Sequence, residues 1–213
     1  MDKNYWENVY SKQSEEGKPS LFAAFIADVL GMKGKRLVEL GCGNGRDAIF
    51  FANMGASHVE AIDQCDNIIN LMKHRFQQIK NLSFRCDDFT CMKDVAEEKK
   101  YDIIYSRFTL HSISKEQEKN VIQWAHRNLN PDGKFCIEVR GQKNEIFGIG
   151  IPVEGESDAF ILNDHYRRFL HFESFCKELI SFGFLLSFAK EQKGFAPYNG
   201  QDETYIRVIA TKL

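Results

Sequence analysis

The chain has 213 residues, 43% of them hydrophobic, a formal net charge of −2 and a pI of about 6.3. That length can bury one good core, and the near-neutral balance excludes a chain-wide electrostatic footprint for nucleic acid or an anionic membrane. No apolar run approaches the roughly 18–20 residues that span a bilayer, and the start Met1-Asp2-Lys3-Asn4-Tyr5-Trp6-Glu7 lacks a signal peptide's basic-then-apolar layout, so a cytoplasmic protein of one domain, 1–213, is expected.

In chain order, the aromatic-rich Tyr5-Trp6-Glu7-Asn8-Val9-Tyr10 reads as an amphipathic helix with Trp6 and Tyr10 on the core. Arg36–Leu40 is a short buried strand, and Asp47–Asn53 opens a helix that Gly55 stops. Val59–Asp63 is the second strand, followed by a helix from Asp66 whose Ile68, Ile69, Leu71, Met72, Phe76 and Ile79 share one side. Leu82–Cys86, Tyr101–Ser106 and Phe135–Val139 are strands three to five. Between the last two, Ser114 with Gln117 forms a capping-box signal, and Asn130-Pro131-Asp132-Gly133 reads as a turn. Strands alternating with helices imply parallel pairing in an open α/β sheet covered on both faces. Gly141–His171 has no clean period and reads as a long functional loop. A helix over about Phe172–Phe182 follows, then strands Phe184–Lys190 and Tyr205–Thr211, which form an antiparallel pair at one sheet edge because no helix separates them. The six cysteines carry no CxxC pair, and most lie in apolar segments, so neither a disulfide framework nor a metal site is expected.

The stretch "VELGCGNGRDA" places Gly41, Gly43 and Gly45 where the first strand meets the first helix. Backbone N–H groups there can approach a ligand closely, in the crevice outside the carboxyl ends of the strands. The spacing is G-x-G-x-G, with Arg46 at the place of the third glycine of a dinucleotide fingerprint. Asp63 ends the second strand 18 positions beyond Gly45, where a carboxylate accepts from ribose hydroxyls.

"VELGCGNGRDA", "VEAIDQ", "FRCDDF", "YDIIYSRFTLHSI" and "NLNPDGKFCIEVR" resemble, in order and spacing, the class I S-adenosylmethionine-dependent methyltransferases over about Arg36–Arg140. The resemblance implies a Rossmann-like α/β fold: a seven-stranded, mostly parallel sheet with an antiparallel last strand and helices on both faces. It implies S-adenosyl-L-methionine as cofactor, with Glu39, Gly41, Cys42, Gly43 and Asn44 around its methionine part, Asp63 and the adjoining Gln64 at the ribose, Asp87, Asp88 and Phe89 at the adenine, and Ser106 and Arg107 beside the reactive methyl. The aromatic start, within residues 1–31, resembles a lid helix of small-molecule members. "NPDG" resembles the family's "KPGG", with Asp132 in place of its first glycine.

For the acceptor, His111 is a candidate general base or a residue that shapes the loop, and His165 is a second candidate. Arg107, Arg140, Arg167 and Arg168 point to a small anionic substrate, since guanidinium forks match carboxylate and phosphate oxygens; Arg167 and Arg168 are consecutive, so at most one reaches the pocket. Tyr166 and Tyr198 are aromatic candidates for the same pocket, under a covering insertion at 141–171. The bland alternative pairs Arg140 with a glutamate such as Glu138. The expected reaction is methyl transfer to an oxygen of a small phosphorylated or carboxylated metabolite; "SRFTLHSI" and "HYRRF" resemble methyltransferases of surface-polysaccharide or phosphorylated-sugar pathways. The rivals are a detoxifying methyltransferase for thiols or metalloid oxyanions, a nicotinamide-dependent oxidoreductase, and a crevice kept without catalysis. Nucleic-acid methylation is disfavoured by the charge and by "YSRF" in place of an "NPPY"-type sequence.

Overall fold

The computed structural model describes residues 5–6 and 17–213; Glu7 to Tyr10 of the aromatic start lie outside the described residues. Seven strands form one sheet in the order β3-β2-β1-β4-β5-β10-β9, from β1 (Arg36–Leu40), β2 (His58–Asp63), β3 (Leu82–Cys86), β4 (Tyr101–Arg107), β5 (Leu129–Arg140), β9 (Phe184–Gln192) and β10 (Tyr205–Lys212). β10 runs antiparallel to both neighbours, so the C-terminal pair does close one edge, with β9 outermost. Strand order reverses between β1 and β4, which opens the crevice beyond their carboxyl ends.

Consecutive strand residues point to opposite faces, and each face has its own core. Leu37, Val59, Ala61, Ile103 and Tyr105 pack under α1 (Leu21–Leu30), α2 (Arg46–Asn53) and α3 (Asp66–Arg75), through Phe22, Ile26, Phe51 and Ile69. Val38, Leu40, Ile62, Ile104 and Phe135 pack under α4 (Lys115–Asn128) and α5 (Phe172–Ser181), through Val121, Ile122, Phe175 and Leu179. α1 is a core helix: Ser20 caps it, and Phe22 and Ile26 are fully buried. No helix among the described residues is long and apolar enough to cross a membrane.

Three local expectations need correction. The α3 helix ends at Arg75, so Phe76 caps it and Ile79 lies beyond it. The "NPDG" segment is absorbed into β5: pairing to β4 steps from Tyr101↔Leu129 to Ile103↔Lys134, and the extra residues bulge out, with Asp132 at φ 60°. Gly141–His171 is an ordered antiparallel sheet of β6 (Ile151–Pro152), β7 (Ala159–Leu162) and β8 (His165–Arg168). Its hairpin turns on Asn163 and Asp164, both left-handed (φ 53° and 57°), a two-residue primed turn for which these residue types are suited. Phe147, Phe160 and Phe169 pack edge-to-face inside it, and Leu170 N–H bonds Arg140 O to close its base.

The capping box at α4 is complete, with Ser114 Oγ accepting from Gln117 N–H and Gln117 Oε1 accepting from Ser114 N–H. Ser114→Ala should lower unfolding stability by about 1 kcal/mol without changing the fold, measurable as a shifted urea midpoint at constant slope.

Candidate functional site

Gly41, Gly43 and Gly45 all have left-handed φ (71°, 52° and 70°), so the alternate glycines of the first turn are required by its path. Sterics add a second reason: a Cβ on Gly41 would lie 2.4 Å from Thr109 Cγ2, and one on Gly45 2.6 Å from Phe84 Cε1. The turn is fastened to the end of β2 by Asp63, whose Oδ2 accepts Gly43 N–H at 2.9 Å and whose Oδ1 accepts Cys65 N–H at 3.0 Å. Cys42 N–H bonds Ile62 O at 2.8 Å and extends the strand ladder into the turn, while Asn44 Oδ1 faces Arg46 N–H at 3.4 Å at the start of α2. Asp47, one residue further, collects Ser20 N–H, Ser20 Oγ and Tyr105 OH and so ties α1 and β4 to the same turn.

Two buried polar atoms at these strand ends, Glu39 Oε2 and Gln64 Nε2, have no hydrogen-bond partner. Burial, and then Asp47, hold the Glu39 carboxyl well above the usual carboxylate range. At the end of β3, Asp87 is engaged by the Arg85 guanidinium and by Asp88 N–H, whereas Asp88 is exposed and bonded through Oδ1 to Thr90. Phe89 is buried against the space above Gly41, and Ser106 bonds Thr109.

The cationic set divides. Arg168 does not face a pocket: it is buried, ion-paired with Glu118 of α4, and the pair locks β8 to that helix. Its neighbour Arg167 points the other way, as strand alternation requires, and donates to Leu162 O at 2.8 Å. Among the described residues no carboxylate lies within ion-pair distance of Arg167, and burial together with nearby Arg140 lowers its pKa. Arg140 pairs with Glu203 and Asn144 and lies over the Tyr205 ring; Glu138 belongs instead to Arg107 and Arg207. Tyr166 donates to Glu156 at 2.6 Å and lines a cavity with Ser112 and His165, and Tyr198 is 76% exposed on the β9–β10 connection.

The histidines are corrected as well. Burial, then Arg140, His165, Arg167 and Arg168, push His111 well below 6.5, and its Nδ1 faces Arg140 N–H at 3.4 Å. It is a weak base whose lone pair is directed at the backbone, so it holds the start of the insertion. His165 is buried, stacked on Tyr5 at 4.4 Å and bonded to Ser112, which makes it a contact between the N-terminal aromatics and the insertion. The sequence reading missed Glu203 and Arg207, which meet Arg140 and Glu138 through the β5–β10 pairing, and Asn144, which meets Arg140 from four residues on.

Residues 37–133 match a family model described as a methyltransferase domain. A SAM-dependent methyltransferase from Methanosarcina mazei superposes with a TM-score of 0.75 at 16% identity, covering 89% of this chain and 97% of that one. Over residues 37–133 the chain matches the methyltransferase-domain family, and its fold is that of S-adenosylmethionine-dependent methyltransferases. Among curated relatives, phosphoethanolamine N-methyltransferase 1 of Triticum aestivum is 27% identical over 193 residues, 85% of this chain and 37% of that protein. Ubiquinone biosynthesis O-methyltransferase of Coxiella burnetii is 28% identical over 112 residues, 52% of this chain and 46% of that protein. The methyltransferase domain thus spans less than half the length of each of these relatives. Its crevice suits the matched family's cofactor in one respect: Glu39 Oε2 and Gln64 Nε2, at the ends of β1 and β2, are buried polar atoms without hydrogen-bond partners.

Arg168→Met should leave Glu118 buried without its main partner and cost about 3–5 kcal/mol of stability, seen in chemical denaturation, with KM unchanged in whatever protein remains folded. His111 predicts an acid-side loss. The unfolded imidazole takes its proton near 6.5 and the folded one resists it, so stability is full above that pH and falls below it. His111→Gln should therefore show a smaller drop in urea midpoint than the parent between about pH 7.5 and about pH 5.

Proposed function

We propose that the domain transfers the sulfonium methyl of S-adenosylmethionine to a small anionic acceptor, a phosphorylated or carboxylated metabolite, at an oxygen that arrives already ionised. In this reading the cofactor's ribose hydroxyls meet the remaining lone pairs of Asp63 and the Gln64 amide, its adenine meets Asp88 and Phe89, and its methionine end lies along Glu39 and Gly41–Asn44. When bound, that cofactor supplies an electrophilic methyl group. The chain's own part is to hold the acceptor in line with it and to exclude water.

The observation that carries the reading is Arg167, a half-buried guanidinium that meets two backbone carbonyls and Tyr5 and has no carboxylate within ion-pair distance among the described residues. Such a group is costly unless an anion comes to it, and its fork matches phosphate or carboxylate oxygens. The wheat relative is named for phosphoethanolamine, which carries a phosphate. An ionised acceptor also needs no base, in keeping with the weak, backbone-directed His111. The same relative's name favours a second reading, in which the anion is the handle and an amine nitrogen takes the methyl.

With phosphoethanolamine and a panel of sugar phosphates as probes, Arg167→Ala should raise KM about tenfold or more and leave S-adenosylhomocysteine affinity unchanged. Mass spectrometry of the product then separates oxygen from nitrogen methylation. Equal KM in parent and variant would sink the anionic-acceptor reading.

A further inference from the structure

One face of the sheet is apolar at one end and polar at the other. Strand register sets Arg36 beside His58 and Glu60 beside Ser83, with Arg85 on the same side, whereas Val38, Leu40 and Ile62 of that face lie further along their strands. The connection from β3 to β4, residues 87–100, holds a single 3₁₀ turn, Glu97–Lys99, and crosses the polar end as a strap. Between strap and sheet lies a cavity of about 600 Å³, lined by Arg36, His58, Glu60, Arg85 and Tyr101 on the sheet and by residues 91–96 and Lys99 on the strap. That volume is within the usual range of small-molecule sites. Arg36, His58 and Tyr101 are the first residues of their strands, so the cavity lies mainly toward the strands' amino ends, away from the crevice at their carboxyl ends.

Its walls are fastened. Trp124 Nε1 donates to Lys93 O at 3.0 Å and the buried Asn128 accepts Val95 N–H at 2.7 Å, which ties the strap to α4. Arg36 Nε donates to Lys99 O at 3.0 Å and ties it to β1. Arg85 gives Nε to Glu60 at 2.8 Å and its Nη groups to Asp87 and to Met92 Sδ, while Tyr101 OH donates to the other Glu60 oxygen at 2.5 Å. Every carboxylate lining the cavity is therefore held by an arginine: Glu60 and Asp87 by Arg85, and Asp94 by Arg127 at 2.9 Å. The remaining cations are not matched in this way. Arg36, Lys93 and Lys99 have no carboxylate within ion-pair distance among the described residues. The Arg36 guanidinium lies 5.7 Å from the Tyr101 ring, and its Nη groups make no hydrogen bond to a described residue.

We propose that this cavity binds a small phosphorylated molecule bearing two or more anionic groups, held by Arg36 with Lys93 and Lys99, at a place separate from the cofactor crevice and from Arg167. Arg36 offers a planar fork that matches phosphate oxygens, and the two lysines add point charges. Arg85, Glu60 and Tyr101 are already committed to one another and form the floor. A strap fastened at α4 and at β1 encloses a space suited to one small molecule and not to an extended polymer.

The probe is pyrophosphate, titrated calorimetrically into the full chain at constant ionic strength, with and without S-adenosylhomocysteine. One saturable site is expected in both cases. Arg36→Gln should weaken it about tenfold or more, and Lys93→Gln and Lys99→Gln several-fold each, while Arg167→Ala leaves it unchanged. The His58 imidazole, which burial and then Arg36 hold below its ordinary pKa, should show ring NMR signals that move during the titration. If Arg36→Gln fails to fold, the lysine variants, both at exposed positions, carry the comparison. The absence of a saturable heat, equal affinity in the parent and the folded cavity variants, or a saturable heat with the His58 signals unmoved overturns the proposal. Binding lost in Arg167→Ala and kept in Arg36→Gln places the anion on the insertion side and overturns it as well. A short oligonucleotide that displaces pyrophosphate at a lower concentration would make the surface a polymer site and equally reject the small-molecule assignment.

Discussion

Asp63 sits where the second strand ends, and its two oxygens take the N–H of Gly43 from one turn and of Cys65 from the next. Hydrogen bonds to a charged acceptor are worth about 1.5–3 kcal/mol each, enough to fix a left-handed glycine turn that would otherwise sample many shapes. Once that turn is fixed, α2 must start at Arg46, Asp47 meets Ser20 and Tyr105, and α1 is drawn onto the sheet. The crevice and the core helix above it therefore depend on the same carboxylate. Because each oxygen accepts one backbone donor, lone pairs remain for a ligand at the same atoms.

Charge at the crevice is distributed by a single constraint, the cost of an unpaired charge away from water. Arg168 pairs with Glu118 and Arg140 with Glu203, while Arg107 and Arg207 share Glu138, partners drawn from other parts of the chain. These pairs hold the insertion sheet to α4 and add ionic links across β4, β5 and β10, which already pair in one sheet. Arg167 departs from the pattern by meeting backbone carbonyls and Tyr5 instead.

What could be read along the chain was whatever local physics writes there. Apolar runs at strand length gave the sheet, the Ser114–Gln117 box gave the start of α4, and the glycines with Asp63 gave the crevice. Asn163-Asp164 is a hairpin signal of the same local kind, hidden because the flanking strands are only four residues long and carry charges at His165, Arg167 and Arg168. The bulge at Asn130–Gly133 looked like a turn because the residues that permit one also permit the other.

Which arginine faces a ligand depended on partners far away in sequence. Arg140 and Glu203 are 63 residues apart, Arg168 and Glu118 are 50 apart, and Arg207 and Glu138 are 69 apart. No window on the sequence holds both members of such a pair. The sequence by itself determined the fold class and the place of the glycine turn with Asp63 beside it, because these rest on periodicity, backbone conformation and short-range spacing. Tertiary structure alone decided that Arg168 is a fastener, that His111 is a weak base and that Arg167 has no carboxylate partner among the described residues, since burial and pairing are properties of what surrounds a group in space.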